Sequence, residues 1–249
     1  MFRLARRFAI DHVGRAMPAA TARAAAPDFR HVDVWIFDLD NTLYRPETGT
    51  FSQIEARMTG FVQEVLGLGF DEARRLQKEY YREHGTTMSG LVRRHDIDPE
   101  AYLAFVHDID LSALEPDAAL AEAISRLPGR RFVFTNGCRN HSGRVLERLG
   151  LAHLFEELWD IRTLEGRAKP DIEAYRAILA RASAVPARSA MFDDIARNLV
   201  PAQTLGCTTV WVNTGSIGSK HQPDTPEVSS THVHYETSDL CRFLESIRI

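Results

Sequence analysis

The chain has 249 residues, 44% hydrophobic and 26% charged, enough apolar material for one good core and a smaller companion unit, which excludes a chain dominated by disorder. Its net charge of −4 excludes the basic footprint of a general nucleic-acid or anionic-membrane binder. Any anion it binds must therefore be held by a local site.

The first thirty residues carry Arg3, Arg6, Arg7, Arg15, Arg23 and Arg30 against only Asp11 and Asp28. Such an Arg-rich, acid-poor stretch is similar to an organelle transit peptide, and a bacterial leader, a mis-assigned start or a short amphipathic docking helix has the same composition. The simplest expectation is a tail, 1–30, outside the fold. Val34, Trp35, Ile36 and Phe37 then form an unbroken apolar run of the kind buried on both faces of a parallel sheet. The run stops at Asp38, Leu39, Asp40, Asn41 and Thr42.

Helical spacing follows. Phe51, Ile54, Met58, Phe61, Val62 and Val65 recur on one face before Gly67 and Gly69, and further helices are expected over 71–81, 88–95 and, after Asp98-Pro99, 100–107. The aromatic and sulfur side chains Tyr80, Tyr81, His84 and Met88 either face a substrate or pack this unit's own helices. From residue 116 the pattern alternates: helix 116–127, strand 131–134 ending in Thr135-Asn136-Gly137, helix 141–149, strand 158–161, helix 170–182 with Pro170 in its first turn, strand 190–192 ending in Asp193-Asp194, helix 196–205 and strand 208–212. A polar loop over 216–230, a strand over 233–235 and a helix from Ser238 close the chain.

Alternation of this kind predicts an α/β fold, a parallel sheet flanked by helices. The helical stretch interrupts it after the first strand, so the expected organisation is a core of 31–48 and 116–249 with a helical cap at 49–115. Placed just beyond the acidic pair, the cap would cover the crevice, exclude water and shape substrate choice. Cys138, Cys207 and Cys241 are odd in number and far apart, which predicts neither a disulfide framework nor a zinc site and fits a reducing, cytoplasmic setting. No apolar run approaches the roughly 18 residues of a membrane span.

Asp38 and Asp40 stand one residue apart at a strand's carboxyl end, where open α/β sheets bind ligands. Two acids there repel unless a cation lies between them, and an all-oxygen cluster suits Mg²⁺. An acidic turn with local hydrogen bonds from Asn41 and Thr42 would look the same. Three further junctions carry chemistry: Thr135-Asn136-Gly137, Lys169-Pro170 and Asp193-Asp194. Read without the others, they are a helix cap, a surface lysine and an acidic helix start.

Four such stations in this order resemble the haloacid dehalogenase-like hydrolase superfamily, over nearly everything from residue 32 to 212. The resemblance implies a Rossmann-like sheet and Mg²⁺-dependent phosphoryl transfer. By it, Asp38 is the nucleophile that forms an aspartyl-phosphate. Asp40 is the acid that protonates the leaving oxygen and then takes a proton from water. Thr135 and Asn136 hydrogen-bond the phosphoryl oxygens and Lys169 supplies positive charge. Asp38, the Asp40 carbonyl and Asp194 hold the metal, with Asp193 acting through water; which of Asp193 and Asp194 touches it directly stays open. Dehalogenases of the superfamily do not need the second motif acid, so Asp40 points to a phosphatase.

Asp40-Asn41-Thr42-Leu43-Tyr44, together with Gly137 and Arg139-Asn140-His141, looks like the pyrimidine 5′-nucleotidase branch, which dephosphorylates UMP and CMP. That resemblance implies substrate contacts from Asn136, Gly137, Arg139, Asn140 and His141 and a nucleoside monophosphate as partner, with no nucleic-acid polymer and no membrane. Alternatives are a phosphatase for phosphoglycolate, a sugar phosphate or pyridoxal phosphate, a phosphomutase of the same superfamily, or a silent interaction module.

Overall fold

A computed structural model describes residues 26–215 and 230–249. Most of the Arg-rich segment and of the expected 216–230 loop lie outside the described residues.

Six strands form one parallel sheet: β1 (Val34–Phe37), β2 (Arg130–Phe134), β3 (Glu157–Trp159), β4 (Ser189–Asp193), β5 (Thr208–Val212) and β6 (Tyr235–Thr237). Their order is β3-β2-β1-β4-β5-β6, the doubly wound arrangement of a Rossmann-like fold, whose direction reverses between β1 and β4. Both faces of β1 are covered, which is why its sequence shows no polar alternation. Val34 and Ile36 join Phe132, Phe134 and Met191 in one layer; Trp35 and Phe37 join Phe192 and Val210 in the other. The first layer is closed by α7 (Ile172–Arg181) and α8 (Ala196–Leu205).

Between β1 and β2 the chain makes five α-helices, one short 3-10 turn and no strand. Four of them, α1 (Thr50–Leu66), α2 (Phe70–His84), α3 (Thr87–His95) and α4 (Pro99–Val106), pack on one another. Gly90 lets α3 approach α2, since a Cβ there would run into the Tyr80 side chain. The fifth, α5 (Ala118–Ser125), packs instead against α9 (Leu240–Ser246), both sharing the cluster of Trp35, Phe37 and Phe192 on one face of the sheet.

Several boundaries differ from expectation, each for a local reason. α5 starts at Ala118 rather than 116, because the Asp117 carboxylate accepts the Leu120 N–H and caps the helix. α7 starts at Ile172 because Asp171 caps it in the same way, leaving Pro170 outside the helix in a cis bond to Lys169. The last strand begins at Tyr235 rather than 233: the His234 ring takes the Thr209 N–H, and pairing starts at Val210 and Tyr235.

The expected edge of the N-terminal tail at residue 30 is also corrected. Phe29 is completely buried, its ring 5.7 Å from Trp35, 5.1 Å from Tyr235 and 5.9 Å from Phe243. Its N–H donates to the Arg248 carbonyl, and the Arg248 N–H donates to the Pro27 carbonyl. Burying a ring of that size outweighs the fraying expected of a terminus.

Candidate active site

β1 and β4 lie side by side, and the Asp38 N–H continues their ladder by donating to the Phe192 carbonyl at 2.8 Å. Asp38, just past β1, and Asp193, the last residue of β4, therefore emerge at the same crevice, where strand order reverses. Lys169 enters from the loop before α7. Its Nζ lies 2.6 Å from Asp38 Oδ1 and 2.7 Å from Asp193 Oδ2, and 5.1 Å from the Phe134 ring centre. All three charged groups are buried.

Short-range bonds fix each group. Thr42 Oγ1 donates to Asp38 Oδ2 at 3.1 Å and accepts the Asp194 N–H at 3.0 Å, joining the first and last stations directly. Asp193 spends Oδ2 on Lys169 and Oδ1 on the Ile195 N–H and on Asn198 Nδ2. Asn136 brackets the Lys169 backbone: its Oδ1 accepts the Lys169 N–H at 2.8 Å and its Nδ2 donates to the Lys169 carbonyl at 3.1 Å. Asp40 Oδ1 receives the Tyr44 hydroxyl at 2.7 Å and His141 Nε2 at 3.0 Å.

Burial, helped by the charges of Asp193 and Asp40, pushes the Asp38 carboxyl up to about 7 against the pull of Lys169. Burial pushes Asp40 up as well, but His141 and Tyr44 outweigh it and hold Asp40 below its ordinary value. Lys169 is raised in spite of burial, because Asp193 and Asp38 both favour its charged form. Unaided, then, the protein favours ionisation at Asp40 over Asp38.

The donor set fits a hard divalent cation. Carboxylate oxygens of Asp38, Asp193 and Asp194 lie within 4.8 Å of one another, all buried, with one lysine among them. Among the described residues, Asn41 Oδ1 is a buried acceptor without a hydrogen-bond partner. A cation bound by oxygens there would neutralise the excess negative charge and bring Asp38 back toward the carboxylate form.

Above this floor lies a cavity of about 310 Å³. Asp38, Asp40, Asn41, Thr135, Asn136, Gly137, Lys169 and Asp194 line its base. Ile54, Met58, Met88, Leu103 and Val106, from α1, α3 and α4, make an apolar wall, the mix typical of small-molecule sites.

The structure thus brings together Asp38, Asp40, Thr135, Asn136, Gly137, Lys169 and Asp194, with Asp193 directly behind Lys169. It does not place Arg139, Asn140 and His141, expected to contact substrate, along the cavity. Arg139 is exposed, its N–H bonded to Asp160 and its guanidinium to the Leu158 carbonyl. Asn140 is exposed at the helix start. His141 is wholly buried and bonded to Asp40, since its place in the first turn of α6 (Arg139–Arg148) points it at the β1 loop. The side chain of Asn136 and the amide of Gly137, which donates to Thr135 Oγ1, are likewise engaged within the protein. Tyr81 and Met88 line the cavity, whereas Tyr80, bonded to His95, and His84 do not.

Sequence reasoning missed the supports: Tyr44, Asn198, and His107, whose ring stacks on His141 at 4.5 Å. Two of these carried a signal. Tyr44 stands four residues after Asp40, and Asn198 five after Asp193 in the first turn of α8, where a side chain can turn back on the acid.

A family model described as haloacid dehalogenase-like hydrolase matches residues 32–206. The chain belongs to this family. Phosphate metabolism protein 8 of Saccharomyces cerevisiae is 35% identical over 133 residues, 49% of this chain and 41% of the yeast protein, so the chain spans about two fifths of that relative. Glyceraldehyde 3-phosphate phosphatase of Methanothermobacter thermautotrophicus is 24% identical over 192 residues, 71% of this chain and 84% of the archaeal protein. The crystal structure of a HAD phosphatase from Thermococcus onnurineus superposes with a TM-score of 0.55 at 18% identity, over 88% of this chain and all of that one. At that identity the superposition speaks to the haloacid dehalogenase-like fold alone.

Proposed function

We propose that this hydrolase is a Mg²⁺-dependent phosphomonoesterase acting through an aspartyl-phosphate, with pyrimidine nucleoside monophosphates, UMP and CMP, as its substrates. The observation that carries the reading is the Asp38–Lys169–Asp193 chain of contacts at the cavity floor, with Asp40 beside it. Two curated relatives named for phosphate chemistry support it. The helices over 49–115 act as the cap.

Asp38 attacks phosphorus through one carboxylate oxygen while the bond from phosphorus to the leaving oxygen breaks. Asp40 gives its proton to that oxygen, and afterwards takes one from the water that attacks the aspartyl-phosphate and releases phosphate. Lys169, the Thr135 hydroxyl and the Asn136 backbone amide donate to the phosphoryl oxygens, positioning and neutralising the transferring group. Asp38, the Asp40 carbonyl and Asp194 would hold Mg²⁺, which would supply further neutralisation of those oxygens. Asp193 keeps Lys169 in place. Negative charge on the bound phosphate favours the protonated form of Asp40 that its proton transfer needs, and a bound cation would favour the ionised Asp38.

Phosphate release from UMP, CMP, phosphoglycolate and sugar phosphates tests the reading. Release with Mg²⁺, fastest from UMP or CMP, and its loss on chelation and in Asp38→Asn are expected. Conversion of a sugar phosphate with no net release would establish a phosphomutase instead.

A further inference from the structure

Gln77 in α2 is only 7% exposed and lines the cavity. Its Oε1 accepts from Thr59 Oγ1 at 2.6 Å, which turns Nε2 toward Met58 Sδ at 3.6 Å. Thr87 Oγ1 donates to the Gln77 carbonyl and holds the backbone at the same point. A thioether is a weak acceptor, so the amide nitrogen, with two N–H groups, is poorly satisfied. The cavity wall carries the apolar side chains of Ile54, Met58, Met88 and Leu103, with Glu55, Lys78, Arg82 and Thr87 also on its lining. A buried donor left that way is costly, and a strong acceptor on a ligand removes the cost.

We propose that Gln77 Nε2 donates to a carbonyl oxygen on the substrate's leaving group, selecting phosphomonoesters whose body is a flat ring bearing a carbonyl. The proposal rests on the phosphomonoesterase reading and adds the residue that recognises the part of the substrate remote from phosphorus. The apolar wall takes the faces of the ring, and the Met58 and Met88 sulfurs are adaptable partners for an aromatic edge. The fixed donor discriminates, because a ligand without an acceptor leaves the amide unmatched. Thr59 is a positioning residue: it touches no substrate but orients the amide.

UMP and ribose 5-phosphate share phosphate and sugar and differ in the ring. Calorimetric titration of the Asp38→Asn protein with each compound, in Mg²⁺, reads recognition without turnover. The expected result is tighter binding of UMP, weakened about tenfold or more by a further Gln77→Met change while the ribose 5-phosphate Kd moves less than about twofold. Equal weakening of both compounds, unchanged UMP binding, or UMP binding no tighter than ribose 5-phosphate overturns the proposal. Should Gln77→Met fail to fold, Thr59→Val must weaken UMP selectively, and an unselective effect overturns the proposal equally. Gln77-dependent UMP binding by a wild-type protein that releases no phosphate would sink the catalytic reading and leave this one standing.

Discussion

His141 Nε2 stands 3.0 Å from Asp40 Oδ1, across 101 residues of chain, and the Tyr44 hydroxyl meets the same oxygen. Two donors on one carboxylate oxygen set its rotamer and favour its ionised form. His141→Phe removes one of them, so the Asp40 carboxyl should titrate at higher pH than in the wild type, followed by carboxyl carbon NMR. On the proposed mechanism the turnover rate should fall about tenfold or more, since Asp40 as proton donor is then less well placed. An unmoved Asp40 titration would show that His141 does not act on it.

Arg139 and Asn140 provide the opposite expectation. Neither lines the cavity, so Arg139→Ala and Asn140→Ala should each change kcat/KM for UMP by less than about threefold, a difference well under 1 kcal/mol. A large rise in KM for either would restore the substrate contact that the structure does not show.

Asp38 supplies a stability signature. Its carboxyl is held near 7 in the fold against an ordinary value of 3.8, so the folded protein binds that proton more tightly than the unfolded chain. The associated stability is fully present below about pH 4 and is lost as pH rises through about 7. In the absence of divalent cations Asp38→Asn should therefore melt higher than wild type at pH 8, with the gap narrowing toward pH 4. Added Mg²⁺ should raise the wild-type Tm more than the variant's. Parallel melting curves at all pH values would count against an uncompensated carboxylate.

Lys169 faces two buried carboxylates, so losing it leaves both without a counter-charge. Lys169→Met should destabilise the cation-free protein by about 3–5 kcal/mol in denaturant unfolding, and Mg²⁺ should recover part of the loss. A change under about 1 kcal/mol would mean that the ion pairs contribute no more than exposed ones.

How much of this could be read from residues alone depends on range. The apolar run 34–37, the alternation after residue 116 and the acids at strand ends are local signals, and strand periodicity together with helix caps was enough to predict the parallel sheet and the four stations. Asp38 and Asp193 do meet at adjoining strand ends, and Lys169 reaches both from the loop before α7.

Side-chain direction was not legible. Arg139, Asn140 and His141 form one contiguous triplet, yet only His141 turns inward, and it reaches Asp40 rather than the cavity. The Asn136 side chain turns to the Lys169 backbone, and Phe29 looked like tail until Trp35, Tyr235 and Phe243 closed around it. Sequence by itself determined which chemical groups arrive at the end of the sheet, because secondary structure follows from near neighbours. Only the tertiary structure decided which partner each group spends its hydrogen bonds on, because those partners come from strands and helices far apart in the chain and compete for the same few buried donors and acceptors.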